Sequence, residues 1–164
     1  MMSYAVMWTV FLLIFLDLTH FSHAQDFWTH HVDYPKTHIL GNPSHYCDLM
    51  MMHRGLANSS YCMLFNTFIH ETNNTILNIC ANSVFPYPNS NGLNCHISRY
   101  PVLVTDCFSK CYSCFPNCKY VQMVHFTRIG IVCVNGQPEH MIRQVYSPPF
   151  WAKFWVPSEY YTYP

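Results

Sequence analysis

Cys62-Met63-Leu64-Phe65-Asn66-Thr67-Phe68-Ile69-His70-Glu71 is the stretch that decides the fold. Phe65, Thr67 and Ile69 alternate with Asn66, Phe68 and His70, and the run is rich in β-formers. That is the period of a half-buried strand, tied down at its start by Cys62. Upstream of it stands Tyr46-Cys47-Asp48-Leu49-Met50-Met51, and downstream Asn117-Cys118-Lys119-Tyr120.

A chain of 164 residues suits one compact domain plus its ends. It is 51% hydrophobic and 10% charged, which places it outside the disordered class. Nine cysteines in so small a chain point to an oxidising compartment. Val6 to Leu16 is an apolar run of signal-peptide length, closed by Ser22-His23-Ala24. Cleavage is expected after Ala24, giving a 1–24 leader. A membrane anchor would need about 20 apolar residues, and Asp17 with His20 cut the run short. Lys plus Arg equals Asp plus Glu at 8 each, so loss of Asp17 with the leader leaves one net positive charge. That excludes the strongly basic face that usually holds a phosphate backbone. Asn58-Ser59-Ser60 and Asn73-Asn74-Thr75 are glycosylation sequons.

Taken in order, Gln25 to Tyr34 places Phe27, His30 and His31 on one face of a short helix, which Pro35 ends. Gly41, Asn42 and Pro43 mark a loop. Tyr46 to Leu56 reads as a second helix whose methionines pack inward. Glu71 to Cys80 reads as a third. Val84 to Asn94 is a turn-rich loop, and the rest a meander: a strand over Ile97 to Thr105, then a hairpin of Lys119–Phe126 and Ile129–Val134 around Thr127-Arg128. The order predicts an α+β fold with antiparallel sheet. Residues 141–164 contain Pro148-Pro149-Phe150-Trp151 and Tyr160-Tyr161-Thr162-Tyr163-Pro164, an aromatic, proline-rich extension with no regular period.

Residues 25–140 together resemble the pancreatic-type ribonuclease family. Its central strand reads Cys-Lys-x-x-Asn-Thr-Phe-x-His-Glu, against Cys62 to Glu71 here. Its first helix reads Phe-x-x-x-His-x-Asp, matched by Phe27, His31 and Asp33. The resemblance implies a disulfide-stapled fold of three short helices and a bent antiparallel sheet. It makes His31 the general base and His140, in Pro138-Glu139-His140, the general acid. It also gives His30 the place of a phosphate-contacting Gln, and has Thr67 hydrogen-bond a pyrimidine. The implied bridges are Cys47–Cys107, Cys62–Cys118 and Cys80–Cys133.

This chain departs from the family at three places. Met63 stands where the family carries a catalytic lysine, Ile142 where an aspartate orients the acid histidine, and Met141 where a Phe packs. No lysine lies between Lys36 and Lys110, so a local replacement would have to come from Lys36 in its loop.

The fourth family bridge has no partner for Cys95, which leaves Cys95, Cys111 and Cys114 and an odd total. A local Cys111–Cys114 pair, or a bond from Cys95 to either, competes with a chain-to-chain disulfide that would link two copies. Cys111-Tyr112-Ser113-Cys114 has redox or zinc spacing, but secreted cysteines mostly pair with each other, so no metal and no cofactor are expected.

Three functions follow. The first is a secreted, monomeric ribonuclease-like protein with weak or absent catalysis, holding RNA weakly or meeting an extracellular or cell-surface protein. Divergent family members of this kind are associated with the male reproductive tract or with host defence, and His31-Val32-Asp33-Tyr34-Pro35 is similar to theirs. The second is a slow pyrimidine-preferring endoribonuclease using His31 and His140. The third is a surface-binding protein acting through the 141–164 extension.

Overall fold

The computed structural model describes residues 4–81, 84–85, 95–110 and 116–142. Most of the C-terminal extension, Cys111 and Cys114 lie outside them.

The first helix, α1 (Tyr4–His31), is far longer than the short helix expected, because it runs on from the apolar leader into the Phe27–His31 turn. No helix among the described residues is long and apolar enough to cross a membrane. A single turn of tight helix (Pro43–His45), capped by the Asn42 side chain, leads into α2 (Tyr46–His53). Gly55, at φ +73°, occupies the left-handed conformation that ends α2, whose last residue, His53, falls three short of the Leu56 the sequence suggested. In α3 (Asn73–Cys80) the Thr72 hydroxyl accepts from the Thr75 N–H at 3.1 Å, and Ile76, Ile79 and Cys80 form the buried stripe.

Two antiparallel sheets follow. One runs β1 (Phe65–Ile69), β4 (Val102–Ser109), β5 (Tyr120–Thr127). The other runs β2 (Val84–Phe85), β3 (Cys95–Ile97), β6 (Gly130–Val134), β7 (Gln137–Ile142). The expected strand over Ile97 to Thr105 is thus split between the sheets. The expected hairpin at Thr127-Arg128 is a crossing between sheets, since β5 pairs with β4 while β6 pairs with β3 and β7. The tight hairpin is β6–β7, turning on Asn135 (φ 52°) and Gly136 (φ 74°), the residues that tolerate two successive left-handed conformations.

β1 is covered on both faces rather than half-buried. Ile69 enters one core with Phe27, Ile76, Val104 and Ile131; Phe68 enters a second with Tyr46, Met50 and Met51. A strand between two cores must be apolar or internally bonded on both sides. The disulfides Cys47–Cys107, Cys62–Cys118 and Cys80–Cys133 are present, as the family framework implies. They close 60, 56 and 53 residues respectively, and loops of that size contribute roughly 4 kcal/mol each through the unfolded chain. Cys95 keeps a free, buried thiol.

Candidate functional site

β1 positions the end of α1. His70 N–H bonds Leu103 O in the β1–β4 register, so the even-numbered residues of β1 face β4 and the carbonyls of Thr67 and Ile69 face away from it. Those carbonyls catch the helix end. His31 Nδ1–H donates to Thr67 O at 3.1 Å, and Asp33 N–H to Ile69 O at 3.0 Å. The Asn66 side-chain Nδ2–H donates to His30 O at 2.9 Å. Phe27, buried one turn earlier, lies against the His31 ring at 5.3 Å between centroids.

His140 comes from β7, opposite Val132. With His31, His30, Phe27, Asp26 and Glu139 it lines an open cleft of about 220 Å³. The structure therefore brings His30, His31 and His140 together, from chain ends more than a hundred residues apart. Asp26 and Glu139 were missed in the sequence. Asp26 precedes His30 by four residues, a helical spacing that puts both on one face.

With Nδ1–H held by a carbonyl, neutral His31 keeps its lone pair on Nε2, the arrangement a general base needs. Burial pushes its pKa from 6.5 to about 4; the Thr67 bond opposes this, and His30 and His140 add to it. The unfolded chain therefore takes up a proton near pH 6.5 that the folded chain refuses until about pH 4. Stability is fully present above that window and falls as pH drops through it, by up to about 3 kcal/mol from this residue. Urea midpoints at pH 7 and pH 4 should separate more in the wild type than in His31→Asn, whose amide nitrogen stands where Nδ1 stood and can still donate to Thr67 O. Equal separations would refute this.

Thr67 forms the other polar group. It faces Asp106 across a rung without main-chain bonds, where side chains approach closely. Its hydroxyl donates to Asp106 Oδ1 at 2.6 Å, and His125 Nε2–H donates to Asp106 Oδ2 at 3.0 Å. The Thr67 hydroxyl proton is thus held by the carboxylate, leaving its oxygen as an acceptor. Neither Asp106 nor His125 stood out in the sequence, because no local motif links β1, β4 and β5.

Positive charge is what the cleft lacks: no lysine or arginine among the described residues lines it. Lys36 Nζ donates to Thr105 Oγ1 at 3.1 Å and sits 4.8 Å from the centre of the Tyr46 ring. Arg54 holds Thr29 O at 2.8 Å and Asp33, Lys119 holds Asp48, and Arg128 holds Ser98 O. Met63 is half-buried against the second core. Its N–H bonds Leu56 O at 3.0 Å and its carbonyl accepts from Tyr120 OH at 2.9 Å. Among the described residues no group of three His, Cys, Asp or Glu side chains is placed to hold a metal ion.

An α+β domain with three disulfides among the described residues, and two histidines from opposite ends of the chain meeting in one cleft, define the class. Residues 22–143 match the family model described as pancreatic ribonuclease. The chain is 38% identical over 115 residues to the pancreatic delta-type ribonuclease of Rattus exulans, covering 70% of this chain and 74% of that protein. It is 38% identical over 142 residues to angiogenin-3 of Mus musculus, covering 83% and 92% respectively. The crystal structure of green turtle egg white ribonuclease superposes with a TM-score of 0.66 at 32% identity, covering 75% of this chain and 98% of that one. The chain belongs to the pancreatic ribonuclease family.

Proposed function

We propose that this is a secreted ribonuclease-type protein that keeps the proton-transfer pair of its family and has lost most of its catalytic power. One observation carries this: the cleft holds three imidazoles and two carboxylates, and no ammonium or guanidinium among the described residues.

The reaction that the geometry supports is transphosphorylation. His31 Nε2 would take the proton of a ribose 2′-hydroxyl as O2′ bonds to phosphorus. His140 would give a proton to the departing 5′-oxygen, leaving a 2′,3′-cyclic phosphate. Thr67, next to His31, would read the pyrimidine. Negative charge builds on the phosphoryl oxygens midway, and Met63 offers nothing to meet it. Loss of one such preorganised donor commonly costs about 10²–10³ in rate. Ile142, opposite Gly130, has no carboxylate to orient His140. Secretion rests on the leader and the disulfides. Asn58 is the sequon better placed for a glycan, since its side chain accepts from Ser60 N–H and Oγ–H in an exposed turn while Asn73 opens α3.

Cleavage of uridylyl-(3′→5′)-adenosine tests the proposal. The full chain should turn over at least about 10²-fold more slowly than a lysine-bearing family member assayed beside it, and His31→Ala should abolish the remainder. Equal rates would refute the proposal. The slow-enzyme alternative differs only in the size of that remainder.

A further inference from the structure

β5 is an edge strand, and no other strand among the described residues pairs with its outer side. Lys110 N–H bonds Lys119 O at 2.8 Å, in the register that continues through β4 and β5. Bonded rungs therefore fall on Phe108–Val121, Asp106–Met123 and Val104–His125. The intervening residues, Tyr120, Gln122, Val124 and Phe126, aim their N–H and C=O groups away from the sheet. Tyr120 confirms this: its N–H leaves the sheet to bond Asp48 Oδ1 at 2.7 Å. Asp48 closes that end of the edge, and from Gln122 onward no described residue bonds the outward main-chain groups.

Edge strands are normally protected by a lysine, a proline, a bulge or an inward charge. Tyr-Val-Gln-Met-Val-His-Phe-Thr contains no lysine, arginine, aspartate, glutamate or proline. Its pairing with β4 runs without a bulge. Apolar side chains are exposed on both faces: Val121 and Met123 on one, Val124 (47%) and Phe126 (69%) on the other.

We propose that β5 pairs antiparallel with β5 of a second copy of this chain, about a two-fold axis at Val124. The symmetry of the open stretch and its lack of formal charge favour a second copy as the occupant. The open groups are centred on Val124, so Gln122 of each copy meets Phe126 of the other and Val124 meets itself, and the outward N–H and C=O groups are mutually satisfied. Self-pairing brings no like charges together, because the strand carries none. Two three-stranded sheets become one of six strands, and Met123 of each copy crosses His125 of the other. Such an interface lies at the small end of the range, below about 1,200 Å², so association is expected near micromolar concentrations.

Sedimentation equilibrium of the full chain tests this with Val124→Lys and Val124→Glu, at an exposed position the fold tolerates. The wild type should dimerise. Each charge variant alone should weaken dimerisation about tenfold or more, because like charges then face each other across the axis. Mixing the two variants should restore it. A monomeric wild type, a Val124→Lys dimer as strong as the wild type, or a mixture that stays monomeric would each overturn the proposal. So would a dimer that survives SDS without reductant and is lost on reduction, since that is a disulfide link.

Discussion

Met63→Lys raises kcat/KM on a uridylyl dinucleotide by about 10²–10³, the worth of one donor aimed at developing phosphoryl charge. The main chain at residue 63 is already fixed on both sides, by Leu56 O and by the Tyr120 hydroxyl. A lysine there starts from a held position, and its methylenes can replace the Met63 thioether against the second core while the ammonium reaches water or ligand. The gain should appear mainly in kcat, since a charge that meets the transition state strengthens as the reaction proceeds. It should also need both histidines: Met63→Lys with His31→Ala should return to background. An unchanged rate in Met63→Lys would mean that residue 63 does not reach the phosphate, and that the loss of power lies at Ile142.

Asp33→Ala destabilises the fold by about 3–5 kcal/mol, enough to lower the melting temperature by more than about 10 °C. The family motif draws the eye to Asp33 as part of the site, but its carboxylate belongs to the scaffold. It accepts from Tyr46 OH at 2.6 Å, Thr37 Oγ at 2.6 Å and Thr37 N–H at 2.9 Å, with Arg54 at 3.5 Å. Burial alone would raise its pKa, but the Thr37 and Tyr46 hydroxyls outweigh this and hold it below the usual carboxylate range. The same bond and burial push the Tyr46 hydroxyl far up. A second chain of donors ends on the Asp33 carbonyl. Lys36 donates to Thr105 Oγ, Thr105 to His70 Nε2 at 2.7 Å, and His70 Nδ1–H to Asp33 O at 2.9 Å. Removing the carboxylate strands the buried Tyr46 phenol and takes the partner from the Thr37 hydroxyl and N–H. Thermal melts of Asp33→Ala against Asp33→Asn give the measurement: the amide keeps part of the network and should lose less. A loss below about 1 kcal/mol for alanine would show the network to be dispensable.

The helix carrying Phe27 and His31 and the central strand were legible because each rests on a short run of residues, whereas the cysteine pairs, 53 to 60 residues apart, followed only from the family resemblance. The two-faced burial of β1 was not legible. Phe65 to His70 alternates like a half-exposed strand, but Asn66, Thr67 and His70 are buried because the end of α1 and β4 satisfy them. The hairpin was misplaced for a nameable reason. Val134-Asn135-Gly136-Gln137 carries the turn chemistry, while Thr127-Arg128 carries only a gap between apolar runs. Pro138-Glu139-His140 marks His140 in the sequence, whereas no local pattern marks Glu139 or the distant Asp26 as part of a cleft. Their effect lies in the sign of charge they bring, which appears only once α1 and β7 are seen side by side. Lys36 shows the reverse: sequence left it available to replace the missing cation, and Thr105 and Tyr46 hold it elsewhere.

Affinity for a trigonal-bipyramidal oxyanion, the vanadate adduct of uridine, tests most directly whether the cleft can stabilise the charge of the reaction. Measured beside uridine 3′-phosphate, the adduct should bind the wild-type chain within about tenfold of the ground-state ligand, whereas sites that meet the transition state bind such analogues at least about 10²-fold more tightly. Binding of that tighter kind by the unaltered chain would contradict a cleft in which no described residue supplies positive charge.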